Sequence, residues 1–278
     1  MKRRAALTIS LVVFSLVAAL PAFAGGLVKA TSKNAEAQKL IDQAWALDRS
    51  DSSPEIFKQC IALMEQADRL DPNNTGILTD LARYYWSYGD QLPKATPEQK
   101  KLLEGIYAQG MAYAEKSLKI KETVGAHYWF AVNRAASMEF SNIMAQAAAF
   151  PTIYKHSMYV RKNDPSFDYG ANGRLWTEII VRVPKKVVEI VGEKYVTEAV
   201  MEIDNAIKAE PRFLDNYVYK ARFVNTYYGK KDEALKLLET ALKQDPNVLP
   251  EEVVANKIAQ KNGRILWKKI TGKDYPQK

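Results

Sequence analysis

Apolar residues recur at helical spacing along most of the chain. In "FKQCIALMEQADRL", apolar side chains return every three or four positions from Phe57 to Leu70, which is the spacing of one face of an α-helix. The chain is 47% hydrophobic and 26% charged, with only 13 glycines in 278 residues. This composition is typical of a helical globular protein and differs from that of a disordered one. The pattern therefore predicts an all-α protein.

Two segments near the C-terminal end repeat the same order of residues. "NAIKAEPRF" at 205–213 is followed by "TALKQDPNV" at 240–248, and Pro211 and Pro246 are 35 positions apart. In each segment an alanine precedes the proline at a position where two packed helices approach closely, and the proline ends the second helix. This order is typical of the tetratricopeptide repeat, a helix pair of about 34 residues.

The same order recurs, less regularly, in the rest of the chain. In "EQADRLDPNNTGILTDLARYYWSYGD", Ala67 and Pro72 close one unit and Ala82 takes the small position of the next helix. We expect Ala82, Ala206 and Ala241 to lie in seams between helices, because only small residues allow close approach. The predicted unit ends lie near Pro72, Glu122, Pro165, Pro211 and Pro246. The sequence thus predicts one all-α domain over 25–278, a superhelix of about four irregular tetratricopeptide-like helix pairs.

Two insertions depart from the repeat pattern. The segment at 89–100, "GDQLPKATPEQK", reads as a proline-rich loop in which Thr96 caps a helix that begins at Pro97. The segment at 125–184 is rich in aromatic residues and arginines, whereas the seams of stacked helix pairs use aliphatic and small residues. Since function is expected where a packing rule fails, we place the candidate site in 125–184.

The first 24 residues have the pattern of a leader. "MKRR" is a basic segment, an apolar run follows from Ala5 to Leu20, and "AFA" ends at Ala24. This order predicts a cleavable Sec signal peptide over 1–24 and a soluble periplasmic protein. The alternative is a retained N-terminal anchor, although the run is short against the ~20 residues of a membrane span. No cysteine follows the run, so nothing suggests a lipid anchor.

Charge and motifs weigh against several functional classes. The chain has 40 basic and 32 acidic residues, and their spread along the sequence does not form a nucleic-acid-binding stripe. His127 and His156 are the only histidines and lack a cysteine or acidic cluster at metal-ligand spacing. No P-loop, G-x-S-x-G or G-x-G-x-x-G motif occurs. We therefore expect a protein that is not an enzyme and needs no metal or cofactor. The single cysteine, Cys60, is predicted to be buried.

The candidate ligand-binding residues are aromatic rings and arginines of the second insertion. Rings bury apolar area, and a guanidinium can hold an anionic group through two hydrogen bonds. We predict a cleft for a small, largely apolar solute that carries an anionic or polar group. Its predicted lining is Tyr128, Trp129, Arg134, Tyr169, Arg174 and Trp176.

A competing interpretation places the same residues in a core. Each arginine would then pair with a carboxylate such as Asp168 or Glu178, and the rings would fill an irregular interior. A cavity beside Arg134 or Arg174 would distinguish the two interpretations. Under the first, Arg174→Ala should weaken solute binding and leave the fold intact. "GANG" at 170–173 is interpreted as a turn between helices.

Several segments resemble a family of transport proteins. "HYWFAVNRAA", "DPSFDYGANGRLWTEIIVRVP" and "LPEEVVANKIAQKNGRILWKKI" occur in an order similar to that of the T-component of TRAP transporters, the TatT family. "DPSFDYG" and the closing "PEEVVANKIAQKNGRILW" are the most specific parts, and the resemblance covers most of the mature chain up to Trp267. A related pattern occurs in eukaryotic microtubule-dynamics regulators, but a bacterial-type signal peptide argues against that branch.

This resemblance implies a periplasmic tetratricopeptide-like subunit with a ligand-binding cleft that accompanies the solute-binding P-component of a TRAP importer and forms homo-oligomers. The chain departs from the family in lacking a lipobox and in reading "KKVVEIVGEKYVTEA" where a glycine-rich region is usual. The expected function is a non-enzymatic accessory role in solute import. The alternative is a periplasmic scaffold for protein–protein interaction in envelope assembly. A scaffold should expose polar residues on its concave face, whereas the importer subunit should have an enclosed aromatic cleft.

Overall fold

The computed structural model describes residues 25–185, 188 and 192–276, so the predicted signal peptide at 1–24 lies outside the described residues. No strand occurs in the described part of the chain, which confirms the all-α class. The α-helices are α1 (Ala35–Asp48), α2 (Pro54–Leu70), α3 (Thr75–Gln91), α4 (Pro97–Ile120), α5 (Val124–Ser137), α6 (Ile143–Asn163), α7 (Phe167–Arg182), α8 (Glu193–Ala209), α9 (Asp215–Tyr228), α10 (Lys231–Lys243) and α11 (Val253–Thr271). Two short 3-10 helices, Pro246–Val248 and Pro250–Glu252, precede α11.

The helices pack as a consecutive series of antiparallel pairs. The described residues form five pairs, from α1 with α2 to α9 with α10, and α11 packs on the last pair. The first helix of a pair also contacts the helix that begins the next unit. Thus α3 contacts α5, α7 contacts α9, and α9 contacts α11. The second helix of every pair ends within three residues of a predicted unit end. The superhelix is therefore confirmed, with one pair more than the approximate count.

Polar side chains fix where several helices begin. Asn34 and Asn74 accept backbone hydrogen bonds at the starts of α1 and α3. At the start of α4, the Thr96 hydroxyl accepts from the Gln99 backbone N–H, and the Gln99 side chain accepts from the Thr96 N–H in return. Such a reciprocal pair satisfies donors that have no partner within the helix. The predicted cap at Thr96 is confirmed.

Small residues set the spacing between helices. The predicted seam residues Ala82, Ala206 and Ala241 are buried, with at most 3% of their surface exposed. A close approach of two backbones joins α7 to α8, where a Cβ added to Gly173 would lie 2.8 Å from the backbone nitrogen of Ile203. Within "GANG", Gly170 lies in a left-handed kink, whereas residues 171–173 continue as α7 and Gly173 forms part of this seam, so the interpretation as a turn holds only for the first residue. Only glycine lets the two helices come so close.

The two ends of the helix series meet. Arg49, which follows α1, forms an ion pair of 2.7 Å with Glu252 and donates a hydrogen bond to the carbonyl of Glu251. The segment before α1 reaches the start of α7. There the Tyr169 N–H donates a hydrogen bond to the Gly25 carbonyl over 2.6 Å. These contacts narrow the opening of the concave side of the superhelix, which stays partly open. None of the helices in the described residues has the length and hydropathy required of a membrane span.

Candidate ligand-binding cavity

A partly open cavity of about 970 Å³ lies on the concave side of the superhelix. Its lining comes mainly from the first helices of the pairs, together with α6 and the segment before α1. Ligand cavities in proteins typically measure ~300–1,000 Å³, so this one is large enough for an extended organic molecule. Two sets of lining residues differ in chemistry, and we call them the aromatic wall and the charged wall. The charged wall consists of Tyr219 and the charged lining residues Asp48, Arg49, Arg83, Asp90, Lys94, Glu139, Asp168, Arg174, Glu178, Arg182, Asp215, Arg222 and Glu252.

The aromatic wall consists of Trp86, Trp129, Phe150, Trp176 and Tyr195. The rings of Trp86 and Trp129 lie 5.5 Å apart between centroids, and Phe150 meets Trp176 edge-on at 5.7 Å. Trp176 is 2% exposed and donates its indole N–H to the hydroxyl of Ser157. Because its one polar atom is already bonded to α6, Trp176 offers the cavity only apolar surface.

A left-handed turn begins α7 beside the charged wall. Asp168, Tyr169 and Gly170 have φ angles of 46°, 54° and 82°, a region that residues other than glycine rarely adopt. Arg174 donates to the carbonyls of Asp168 and Tyr169 over 2.7 and 3.3 Å. The Asn216 amide donates to the same Tyr169 carbonyl over 2.9 Å. Two buried side chains thus hold the unusual backbone of "DPSFDYG" in place.

Arg174 is neutralised within the protein. Its guanidinium lies 2.6 Å from the Asp168 carboxylate and 3.9 Å from that of Asp215. Burial raises the pKa of the Asp168 carboxyl, and the positive charge of Arg174 opposes that rise. The internal carboxylate partner is the one that the competing interpretation named. The expectation that Arg174→Ala leaves the fold intact does not agree with this network of contacts.

The structure brings together four of the six predicted site residues. Tyr128, Trp129, Arg174 and Trp176 line the cavity. Tyr169 instead stacks on Phe213, with 4.6 Å between ring centroids, and does not contribute to the lining. Arg134 is half-buried in the last turn of α5 and also lies outside the lining. A cavity therefore exists beside Arg174 but not beside Arg134, and ligand binding itself stays a prediction.

Arg83 is a cavity residue that the sequence reasoning missed. Only 4% of it is exposed, one terminal nitrogen contacts Asp48 at 2.8 Å, and Nε lies 3.6 Å from Asp80. Its Nε and Nη2 atoms form no hydrogen bond within the described structure. The available signal was the helical spacing of Asp80, Arg83 and Asp90, which places charged residues on one face of α3. The repeat pattern alone assigns this helix to the packing of the helix pair.

Asp90, Asp215 and Tyr219 complete the part of the charged wall that the sequence reasoning missed. The pKa of both carboxyls is raised, chiefly because the surrounding protein limits their hydration, although Asp90 keeps accessible surface; neighbouring carboxylates, including Glu178, add to the rise. Burial also raises the pKa of the Tyr219 phenol, so this group stays neutral. Asp90 lies on α3, and Asp215 and Tyr219 lie on α9. These two helices are far apart in the sequence, and both line the cavity. Their proximity depends on the closed superhelix.

The two histidines of the chain contact each other between α5 and α6. Their Nδ1 atoms are 3.0 Å apart, and the His127 ring stacks on Tyr159 with 3.8 Å between centroids. Burial lowers the pKa of both side chains, and that of His156 falls to about 4. At neutral pH the pair is uncharged, with one ring donating to the other. No group of side chains suited to hold a metal ion occurs among the described residues.

Comparison with known families gives one match. The model of the family "Regulator of microtubule dynamics protein 1-3" matches residues 40–262, which is most of the chain. The chain belongs to this family. A search of curated proteins found no match to it.

The expectation of a TRAP transporter T-component was wrong, because the family match is to the microtubule-dynamics regulators. The segments that carried the resemblance have structural roles. "DPSFDYG" forms the left-handed turn, and "PEEVVANKIAQKNGRILW" forms the last 3-10 helix and most of α11. Such segments indicate a fold and do not specify a transport partner. The leader at 1–24 could not decide between the families, since it lies outside the matched residues 40–262.

Proposed function

We propose that this family member is a non-enzymatic binding protein that holds one elongated, largely apolar molecule inside its superhelix. The observation that carries the proposal is the cavity of about 970 Å³ with its aromatic wall. Burial of a ligand against these rings would supply binding free energy of roughly 25 cal/mol for each Å² of apolar surface removed from water. The polar groups at the other wall would fix the ligand's orientation.

The partial closure of the cavity favours a small molecule over a protein segment. A scaffold that binds peptides needs an open groove along the concave face, and here Arg49 and Glu252 join the two ends of the series. The lining does contain polar and charged residues from successive first helices, as a scaffold would. The closure at Arg49 decides our preference, because it restricts access for a long chain.

The family description names an action on microtubules, and our proposal takes from it only the shared fold.

For location, we propose that residues 1–24 are removed and that the mature protein is periplasmic. N-terminal sequencing of protein from fractionated cells should then find Gly25 as the first residue. Recovery of a chain that begins with Met1 in the membrane fraction would contradict this location without affecting the cavity.

The binding proposal can be tested by filling the cavity. Ala135 is half-buried and lines the cavity, so Ala135→Trp would place a large ring in its volume. Ala112 lies on the exposed face of α4, and Ala112→Trp is the matched control. Binding of a fluorescent long-chain probe and native mass spectrometry of the purified protein provide the measurements. We expect the first variant to lose bound probe and bound mass while the control retains both. Equal binding by both variants would refute the proposal.

A further inference from the structure

The last helix, α11, carries positive charges without negative ones. Its five charged side chains are all basic, namely Lys257, Lys261, Arg264, Lys268 and Lys269. The other described helices without a carboxylate are α5 and α6, which contain one and three Lys or Arg. The whole chain has 40 basic and 32 acidic residues, so the charge of α11 is not a consequence of overall composition.

Four of these cations lie on one face of α11. Positions 257, 261, 264 and 268 have the spacing i, i+4, i+7 and i+11, which places side chains above one another on a helix. All four residues are exposed, and they extend about 16 Å along the helix axis at the usual rise per residue. We call this surface the basic stripe. Its four residues are not among those that line the cavity.

The basic stripe is not neutralised within the described residues. Lys257, Lys261 and Arg264 form no ion pair or hydrogen bond there. Lys268 lies 3.0 Å from Asp274, but both side chains are more than half exposed, and such surface pairs bind weakly. In α10, which packs on α11, two carboxylates pair with lysines of their own helix. The stripe therefore keeps its positive charge toward solvent.

An apolar side chain is exposed beside the stripe. Ile265 follows Arg264 and has 60% of its surface exposed, although isoleucine is among the residues that are most often buried. The inner faces of α11 pack on α9, α10 and the two 3-10 helices. Residues 272–276, which follow α11, form no further helix. The outer face of α11 is thus uncovered by the described chain.

A surface of this composition fits the headgroups of anionic lipids. Clusters of four or more Lys or Arg on a helix are typical of sites that bind such lipids. A neighbouring apolar side chain adds contact with the boundary between headgroups and acyl chains. We propose that the basic stripe and Ile265 dock the protein on the surface of an anionic membrane. This inference concerns the outer face of α11 and does not depend on the proposed function.

The length of the stripe and the presence of Ile265 favour a membrane over other anionic partners. A single phosphate group contacts only part of a row of four cations, whereas a lipid surface offers a headgroup to each. An acidic protein segment would satisfy the cations, but negative charge alone gives no role to the exposed isoleucine.

The test measures binding to vesicles of two compositions. Vesicles of phosphatidylcholine alone, or of equal parts of phosphatidylcholine and phosphatidylglycerol, are mixed with the purified protein and separated by flotation. We expect the protein to float with the anionic vesicles and to remain unbound with the neutral ones. Added salt should release it, because dissolved ions screen charges at exposed sites.

A triple substitution locates the contact on α11. Lys257→Gln, Lys261→Gln and Arg264→Gln together remove three cations of the stripe. Each basic residue near an anionic surface increases binding about fivefold, so the affinity for anionic vesicles should fall by roughly a hundredfold.

The matched control changes the net charge equally at other places. Lys58→Gln, Lys101→Gln and Lys119→Gln remove three exposed lysines of α2 and α4, and this variant should keep most of the vesicle binding. Because all the substituted positions are exposed, the circular dichroism spectra of both triple variants should match that of the native protein.

The contribution of Ile265 has its own readout. Ile265→Ser should weaken binding to the anionic vesicles several-fold, because it removes apolar surface that would leave water on docking. Leu102→Ser, at a position of α4 that is 56% exposed, should not weaken it. Equal binding by these two variants would overturn the role of Ile265.

Three results would overturn the proposal as a whole. The native protein could fail to float with the anionic vesicles, or the two triple variants could bind them equally. Capture by a polyglutamate peptide without binding to vesicles would identify an acidic protein segment as the partner. None of these results affects the cavity, whose binding of the fluorescent probe is measured without vesicles.

Discussion

The pair formed by α9 and α10 and the segment from α5 to α7 are built by different packing rules. In the pair, Ala221, Ala234 and Ala241 are fully buried, and small residues allow the helices to close on each other. From α5 to α7, buried polar side chains take much of the interior, among them Asn133 and Asn172. The regular pair fills its own interior, whereas the irregular segment directs large rings toward the cavity.

The difference shows how a repeat fold makes room for a cavity. Small seam residues bring helices together and leave no space, as in α9 and α10. In the irregular segment, the close contact is moved to the outer side, where Gly173 meets the backbone of Ile203 in α8. The inner side is then free for Trp129 and Trp176, which line the cavity. Local loss of the repeat pattern and the presence of the cavity have the same origin.

The largest effect expected in the irregular segment follows from removal of Arg174. Arg174→Met would leave the Asp168 carboxylate buried without its partner and remove the donors that hold the left-handed turn. We expect the free energy of unfolding to fall by about 3–5 kcal/mol, the usual cost of breaking a buried ion pair. Denaturant titration followed by circular dichroism measures this change.

Arg134→Met is the matched control for this substitution, because Arg134 is half-buried outside the cavity lining. It should change stability by no more than roughly 0.5 kcal/mol. Equal losses in the two variants would mean that the charge network around Arg174 has no special structural role.

A second substitution tests the seam at the edge of the irregular segment. Ala206 in α8 faces Gly170, and a Cβ on that glycine would lie 2.3 Å from the Ala206 Cβ. Ala206→Leu should overpack this contact and cost about 1–3 kcal/mol. Thermal and denaturant unfolding curves provide the measurement, and Ala112→Leu, on an exposed helix face, is the control. An unchanged unfolding midpoint for the Ala206 variant would contradict the assigned seam.

The histidine pair gives the irregular segment a dependence on pH. The pKa of His156 is lowered to about 4 and that of His127 is lowered as well, so the folded state favours the uncharged rings. The stability they provide is complete above the ordinary histidine pKa of ~6.5 and is lost as the pH falls toward 4. Allowing for partial exposure, we expect this contribution to be about 1–2 kcal/mol.

Comparison with His156→Phe isolates this effect. The variant keeps a ring against Phe130, which stacks on His156 at 4.2 Å, and it removes one titrating group. Between pH 7 and 4.5 the stability of the native protein should decrease more than that of the variant. Parallel pH profiles would show that the pair does not titrate in this range.

The smallest effect contrasts two glycines. Gly105 lies inside α4 with open space around its Cβ position, so Gly105→Ala should stabilise the protein by about 0.5–1 kcal/mol. At Gly173 the same substitution should destabilise it, because the added Cβ would clash with the backbone of α8. Unfolding midpoints of the two variants should therefore shift in opposite directions. A shift in the same direction would mean that α7 and α8 are less closely packed than described.

The sequence predicted the elements whose cause is local. The capping of α4 by Thr96, the ends of the second helices near prolines and the buried alanines all follow from neighbouring residues. The candidate site was predicted only in part. Trp129 and Trp176 were found because large rings are conspicuous in a repeat, and both line the cavity.

The rest of the site depends on contacts between distant segments. Asp90 and Asp215 are more than a hundred positions apart in the chain, so no local pattern could place them in one cavity. Arg134 stands beside aromatic residues in the sequence, but it lies on a part of α5 outside the cavity lining. The two glycines of 170–173 have different roles, because Gly170 lies in the left-handed turn and Gly173 allows a close helix contact, and the sequence pattern does not distinguish these roles.

The contact of Arg49 with Glu252 joins residues 203 positions apart, and this changes how the molecule should unfold. An open array of helix pairs behaves as a linear chain of neighbours, which can fray from either end while the middle stays folded. Here the first and last units support each other, so loss of either one removes contacts from its opposite end. Unfolding should therefore be more cooperative than in an open array of equal length. The backbone amides of α1 and α11 should exchange hydrogen at similar rates, and more slowly than the end helices of an open array.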